Sequence, residues 1–525
     1  MPDKLADVAQ DSARGSFFLF SGTAVSTVIM AIASILIARF LGPELYGQYT
    51  LALVVPQILF IFTDLGIGQG ITKFTAELRS KGETEKITRI IKYGLALRAA
   101  TGIAIFIINY TLAEAFASLL LQRPELTFYV QIASTSILFQ VLFTTATSAF
   151  VGLDKTEYSA LTTNIQALAK TIISITLVLI GFSVAGAIIG YVAGYVIAAA
   201  VCLFILFYLL KNRQGITEKH DFTENVKQLL HYGAPLYISA LLAGFLPLFK
   251  NLVLAFFTSD IAVGNYKAAI NFATLLTVIS IPITTALLPA FSKLNSKKHG
   301  EINAFFKLAN KYTSILIIPA TFLIITFSSE IVQIVYGTTY QSAPLFLSIY
   351  CILYFLVGFG YLTLPSFYNG IGQTKITLKM SLITFCILAI LSPLLTQTFN
   401  VQGLIVSFLI ASTAGTLYGS YTAIKKFQLN LGLSNLLKIY AVAAISTALP
   451  LCIITFANLP RLIAVTLGAI IYLLTYITLM PIAKTVTLSE LQTAICTIQH
   501  VRLLSLIAKP ILKYQQKILK KRTDH

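Results

Sequence analysis

Glu44-Leu45-Tyr46-Gly47-Gln48-Tyr49 returns 217 residues later as Ala262-Val263-Gly264-Asn265-Tyr266, with Gly47 over Gly264 and Tyr49 over Tyr266. Phe74, which opens a basic loop, falls over Phe291, which opens another. Val184-Ala185-Gly186 falls over Val401-Gln402-Gly403 at the same spacing. A fourth pair, Gly152-Leu153-Asp154-Lys155-Thr156 and Gly370-Ile371-Gly372-Gln373-Thr374, needs an offset of 218. One shared glycine is cheap; four anchors on nearly one offset indicate a duplicated unit. In a chain this apolar, a duplicated unit points to a transporter.

Hydrophobic residues make up 57% of the 525 positions and charged residues 11%, with a mean hydropathy of +0.82. Soluble domains carry roughly 25% charge, so the chain is read as an all-α polytopic membrane protein. Apolar runs long enough to cross a bilayer predict 14 transmembrane helices. They cover 16–38, 50–72, 93–117, 128–150, 159–181, 184–210, 233–257, 266–289, 313–336, 344–368, 380–399, 401–424, 438–456 and 462–481. Three aspartates and two basic residues precede the first run, which makes it a poor signal peptide and a good first span.

The net charge of +18 is distributed by side. The N-terminus, the even-numbered loops and the C-terminal tail hold 31 of the 38 Lys and Arg residues. Arg39, Arg123, Lys267 and Arg461 fall on odd-numbered loops or their edges, and Arg98, Lys170 and Lys250 fall within helices. The positive-inside rule then puts both termini in the cytoplasm of a multi-pass protein of the plasma (cytoplasmic) membrane. The charge reads as topology plus attraction to anionic membrane lipids, and no nucleic acid partner is expected.

His220, His231, His299, His500 and His525 all fall on segments read as cytoplasmic, and the five cysteines have neither metal spacing nor a place for an extracellular disulfide. Neither a cofactor nor a metal is expected. No Gly-Lys pair occurs, so there is no P-loop to drive transport. Gly66-Ile67-Gly68-Gln69-Gly70 lies inside the second predicted helix, with no strand before it, and reads as close packing or local flexibility. The odd loops are short, leaving the outer face little room for acid–base catalysis. An enzyme is disfavoured.

Twice 217 falls in the loop after the twelfth helix. The expected division is an N-terminal lobe (1–215, helices 1–6), a C-terminal lobe (216–430, helices 7–12), an appended helix pair (431–482) and a basic amphipathic cytoplasmic tail (483–525). Six helices per copy is an even number, so the copies share one orientation, as a parallel pseudo-two-fold repeat about the membrane normal. The tail alternates Leu503, Leu504, Ile507, Ile511, Leu512, Ile518 and Leu519 with Lys509, Lys513, Lys517, Lys520 and Lys521, which predicts a helix lying on the anionic inner leaflet.

This layout resembles the polysaccharide-export (Wzx-like) flippases of the multidrug/oligosaccharidyl-lipid/polysaccharide exporter superfamily. The matching stretches are Ala38-Arg39-Phe40-Leu41-Gly42-Pro43-Glu44-Leu45-Tyr46-Gly47, Thr63-Asp64-Leu65-Gly66-Ile67-Gly68, Gly152-Leu153-Asp154-Lys155 and Gly264-Asn265-Tyr266. The resemblance implies alternating access that moves a polyprenyl-diphosphate-linked glycan from the cytoplasmic to the outer leaflet for cell-surface polysaccharide synthesis, with transient contact with glycan-assembly enzymes. A MATE-like, cation-coupled exporter of small molecules is the alternative, and a membrane glycan polymerase or ligase a weaker third. Fourteen helices favour the flippase, because the drug-exporter branch resembles a twelve-helix bundle.

An anionic, hydrated head group would need a polar, cationic path through hydrocarbon. Each charge at a helix centre costs about 2.5–3.5 kcal/mol by insertion scales, so each calls for a role. Lys250, three residues after Pro247 in a helix also interrupted at Pro235, and Lys170, on a polar face with Gln166 and Ser174, are the leading cavity candidates; a lysine paired with a buried carboxylate is the competing reading for each. Arg98 sits near the start of its helix, where snorkelling to the cytoplasmic surface competes with a cavity role. Arg39 and Lys267 flank outer helix ends, as substrate contacts or interfacial anchors. Asp64 and Glu330 are candidates for a coupling ion or for neutralising a buried cation.

Overall fold

The computed structural model describes residues 2–211, 237, 241, 244–293, 299–456, 460–498 and 502–523. The loop carrying His220 and His231, and Pro235, lie outside the described residues. Regular structure among the described residues is helical throughout, as hydrocarbon demands of a backbone that must satisfy its own hydrogen bonds. The protein is a multi-pass membrane protein. Eight of its described helical stretches are long and apolar enough to cross a bilayer, or nine with the pair Ala343–Phe359 and Thr363–Gly370, which is bent by 44°.

Three of those stretches are too long for one crossing. Ser21–Ile61, Thr156–Lys211 and Thr374–Phe427 hold 41, 56 and 54 residues, whereas about 20 residues span the hydrocarbon. Each contains a backbone reversal. Gly42 has φ 74° and is followed by Pro43; Gly181 and Ser183 have φ of 104° and 50°; Asn400 has φ 52°. The Thr156–Lys211 stretch folds back on itself at its break, so Ser174 Oγ donates to the Ala187 carbonyl at 3.1 Å and Tyr191 meets Lys170. In Thr374–Phe427, Gly415 likewise packs on Thr384 and Gly419 on Met380.

The reversals repeat. Ser183 (φ 50°, ψ −131°) and Asn400 (φ 52°, ψ −139°) adopt the same rare conformation at a separation of 217. The turns before the two hairpins also match. Lys155 N–H donates to the Phe150 carbonyl at 2.8 Å and Gln373 N–H to that of Tyr368 at 2.7 Å, and the preceding Asp154 and Gly372 have φ of 58° and 76°.

The second predicted helix, 50–72, is not continuous. Val54–Ile61 ends before Phe62–Gly66, where Leu65 and Gly66 have φ of 47° and 82°, and Ile67–Ser80 begins afresh. Gly66 therefore serves as a left-handed entry to a helix, a conformation that glycine adopts without steric cost.

The chain forms two compact units, each taken by itself. One comprises Met1–Asn271, Thr339–Gln341 and Ile390–Leu404; the other comprises Phe272–Thr338, Ser342–Ala389 and Ile405–His525. The first unit is packed around Ile67, Ile71, Phe74, Ile87, Phe143, Phe150 and Leu206. The second has one core around Phe291, Phe306, Phe367, Tyr368 and Met380 and another around Ile318, Ile439, Tyr476 and Met480. Arg502–Thr523 is helical, as the tail pattern predicted, but Leu512 and Leu519 pack against that last core and Gln515 Nε2 donates to the Ile477 carbonyl at 3.2 Å. Part of its apolar face is therefore spent on protein, against a core that includes Tyr476 and Met480 of Arg461–Ile482.

Candidate functional site

Thr156–Leu177 divides its surface by polarity. Leu161, Leu168 and Ile172 are exposed, whereas Thr162, Gln166 and Ser174 are buried. Lys170 lies on the buried stripe and is itself half-buried. Its ammonium stands 5.0 Å from the centroid of the Tyr191 ring, a cation–π contact. The Tyr191 hydroxyl hydrogen-bonds with Tyr195 and Gln57, and the two rings meet edge-on at 5.2 Å. One turn from Lys170, the buried Gln166 Nε2 has no hydrogen-bond partner among the described residues.

Lys250 is 6% exposed, within the apolar helix Gly244–Phe257. Lys267 is half-buried, two turns into Asp260–Lys293. The charge of Lys267 acts on both Lys170 and Lys250. Lys170 and Lys250, on two other helices of the first unit, thus each lie within electrostatic reach of Lys267. Among the described residues, the ion pairs involve neither Lys170 nor Lys267. For Lys170, the paired-carboxylate reading does not describe the geometry. Like charges gathered in a poorly solvated place disfavour one another, and an anion placed among them relieves that repulsion.

A polar triangle adjoins the cluster. Asn271, one turn beyond Lys267, donates to Ser34 Oγ at 2.8 Å and to the Tyr46 hydroxyl at 2.9 Å, and those two oxygens are themselves 2.8 Å apart. Helix proximity here depends on two glycines. A Cβ on Gly47 would lie 2.0 Å from the Asp260 carbonyl oxygen, and one on Gly264 would lie 1.8 Å from that of Pro43. Only a hydrogen fits at either place.

The remaining predicted residues fall elsewhere. Arg98 is 2% exposed and pairs with Asp64 at 3.2 Å. It also donates to Thr144 and Thr63 at 3.2 and 3.4 Å. Arg98 therefore does not snorkel: the break at Phe62–Gly66 presents a carboxylate at its own depth. The same Asp64 oxygen accepts from Gly68 N–H at 3.0 Å, satisfying an amide of the new helix's first turn that has no intrahelical partner. Arg39 is exposed, three residues before the Gly42 break. Glu330 is half-buried in the first turn of Ser328–Tyr336, in the second unit.

Sequence reading passed over Arg123, counting it only as a loop-edge charge. It is 8% exposed and holds the Asp260 carboxylate through Nε. It also donates to the Leu121 carbonyl at 2.6 Å, to the Ala255 carbonyl, and to the Thr258 carbonyl at 2.5 Å.

Helical spans that are broken and carry buried cations, among the described residues, define a multi-pass membrane protein of the transporter class. The chain belongs to the polysaccharide biosynthesis protein family, whose profile matches residues 12–295. Stage V sporulation protein B of Bacillus subtilis (strain 168) is 22% identical over 373 residues, covering 66% of this chain and 71% of the relative. Lipid II flippase MurJ of the same organism is 22% identical over 453 residues, covering 77% and 81%. The solved lipid II flippase MurJ in its inward closed conformation has the same fold, with a TM-score of 0.70 at 19% identity over 88% of this chain and 98% of that one. An inward-facing multidrug resistance MATE transporter of the MOP superfamily aligns with a TM-score of 0.62 at 16% identity, over 77% and 94%.

Proposed function

We propose that the protein is a flippase, not an enzyme, that carries a polyprenyl-linked oligosaccharide from the cytoplasmic to the outer leaflet by alternating access, for cell-surface glycan synthesis. The observation that carries this reading is the Lys170–Lys250–Lys267 cluster beside the Tyr191–Tyr195 pair. A diphosphate would neutralise the cations while the tyrosine hydroxyls and the free Gln166 amide meet sugar hydroxyls. The apolar tail stays in lipid, so protein need surround only the head. Family membership and the flippase relative support the substrate class.

The architecture follows the same reading. Dividing the three over-long stretches at their reversals, and counting the bent pair, Gly244–Phe257 and Asp260–Lys293, yields fourteen crossings. Twelve form two parallel six-helix lobes, at 1–215 and 216–430, with helices 13 and 14 appended. The matched reversals at Ser183 and Asn400 and the matched turns at Asp154 and Gly372 support the duplication. Both termini and the basic tail lie on the cytoplasmic side of the plasma membrane, from the charge distribution.

The test is reconstitution. Proteoliposomes containing the protein receive labelled polyprenyl-diphosphate oligosaccharide, and exposure of the glycan on the far leaflet is followed with time. Exposure well above that of empty liposomes is expected; the empty-liposome rate would sink the reading.

A further inference from the structure

The 217-residue spacing pairs Arg123 with Tyr340, and Ala255 with Ala38. Arg123 donates to the Ala255 carbonyl, and Tyr340 donates through its hydroxyl to the Ala38 carbonyl at 2.6 Å. Each bond therefore runs from a loop of one sequence copy to a helix end of the other, and the two bonds are repeat-equivalents. The close approaches of Gly47 to Asp260 and of Gly264 to Pro43 obey the same exchange, since Pro43 and Asp260 are also 217 apart. A reciprocal pattern, in which i meets j′ while j meets i′, is the signature of a two-fold interface. All of these residues belong to the first compact unit.

The bonds have a common physical logic. Helix ends leave carbonyls without intrahelical donors, and a cation is favoured there by the helix dipole. Ala255 and Thr258 lie at the end of Gly244–Phe257, and Arg123 serves both carbonyls while its Nε meets Asp260 at the start of the next helix. Ala38 lies four residues before the Gly42 reversal, at the corresponding end of the first crossing. Arg123 is 8% exposed and Tyr340 1%, so water does not replace these bonds cheaply. One turn inward from Ala38 lies Ser34, in the triangle with Tyr46 and Asn271, and one turn before Asn271 lies Lys267. Latch, triangle and cation cluster thus follow one another along the same helices.

We infer that Arg123 and Tyr340 are the paired latches of one gate, each closing one copy's loop over the other copy's helix end on the side of the substrate site opposite the basic loops. This inference rests on the alternating-access reading. Opening that side requires both latches to release, and Arg123, with its ion pair and three carbonyls, is the stronger of the two.

The experiment uses full-length protein with its five native cysteines replaced and a single reporter, Ser34→Cys, in sealed proteoliposomes. A membrane-impermeant maleimide is applied to the face bearing Arg123, without substrate. Tyr340→Phe removes one hydroxyl and should raise the labelling rate about fivefold; Arg123→Gln should raise it about tenfold or more. Thermal melting in detergent checks that both variants are folded, and Tyr340→Phe is mild enough to keep the test open if Arg123→Gln is not. Labelling of folded Tyr340→Phe at the parent rate overturns the paired latch. Faster labelling in protein that moves no lipid-linked glycan would remove the substrate reading and leave the gate standing. Unchanged labelling in protein that does move it would do the reverse.

Discussion

Lys170 is met by a tyrosine ring where buried lysines are commonly met by carboxylates, and this substitution of partner has a chemical consequence. A carboxylate would hold the ammonium permanently and repel an incoming anion; a ring stabilises it by about 1–2 kcal/mol and leaves its donors able to turn to a ligand. Lys170→Ala and Lys250→Ala should each reduce the flipping rate about tenfold, a charge-assisted hydrogen bond being worth about 1.5–3 kcal/mol. Glycan exposure measured on the folded double variant decides the matter, and a normal rate there removes both residues from the site. Asp64 belongs to a different story. Asp64→Asn leaves the Arg98 guanidinium buried without its counter-ion and should lower stability by about 2 kcal/mol. Detergent melting curves should show a clear drop, largely recovered in Asp64→Asn/Arg98→Met. An unchanged melting temperature would mean the pair contributes nothing to folding. Both lysines and both members of the pair were legible as costly charges in apolar sequence. That Lys267 acts on two of them, and that Asp64 stands opposite Arg98, was not, because partners on separate helices share no sequence signal.

At the scale of elements, breaks matter more than helices. Periodicity and hydropathy find apolar runs but pass through breaks inside them, so the Gly66-Ile67-Gly68-Gln69-Gly70 stretch read only as close packing or local flexibility, and the bend between Ala343–Phe359 and Thr363–Gly370 went unseen. The reversals near 182 and 400 were visible as gaps between adjoining apolar runs. Tail docking illustrates a second limit. Leu488–Ile498 brings Glu490 to the 6%-exposed Lys311, whose ammonium is 2.8 Å from both carboxylate oxygens, and Thr487 N–H adds a third bond at 2.8 Å. Burial alone would push the Glu490 carboxyl up, but these bonds and the Lys311 charge outweigh it, and the group is held below its ordinary value of 4.5. A depressed carboxyl stabilises the docked tail above that ordinary value and loses its contribution as pH falls through the lowered one. Amide protection across 502–523, taken relative to intrinsic exchange at each pH, should therefore be high at about pH 6 and be lost as pH falls below the ordinary value of 4.5. In Glu490→Gln that protection should be low throughout and nearly independent of pH; a parent-like protection profile in that variant would show that the pair does not hold the tail.

For the molecule as a whole, direction of transport is set by energetics outside any single contact. An anion leaving the cytoplasm moves down an inside-negative potential, gaining about 2.3 kcal/mol per charge per 100 mV. If the head group crosses as an anion without a co-moving cation, an imposed inside-negative potassium diffusion potential should speed glycan exposure in oriented proteoliposomes, and reversing its sign should slow it. Rates indifferent to potential would require an ion moving with the substrate, with Glu330 the first carboxylate to replace, since Asp64 is held by Arg98.

Composition alone determined that this chain crosses a membrane many times, and repetition alone is the source of the proposal that much of it was duplicated. Both are properties of the one-dimensional pattern: hydropathy acts residue by residue, and a duplicated gene keeps its spacing. Tertiary structure alone decided which charges answer one another. It brought Lys170 and Lys250 within electrostatic reach of Lys267, gave Arg98 to Asp64, and joined Arg123 to Ala255 as it joined Tyr340 to Ala38. Hydrogen-bond energies fall away within a few ångströms and charge–charge energies weaken steadily with separation, and the separations between helices exist only once the helices are packed.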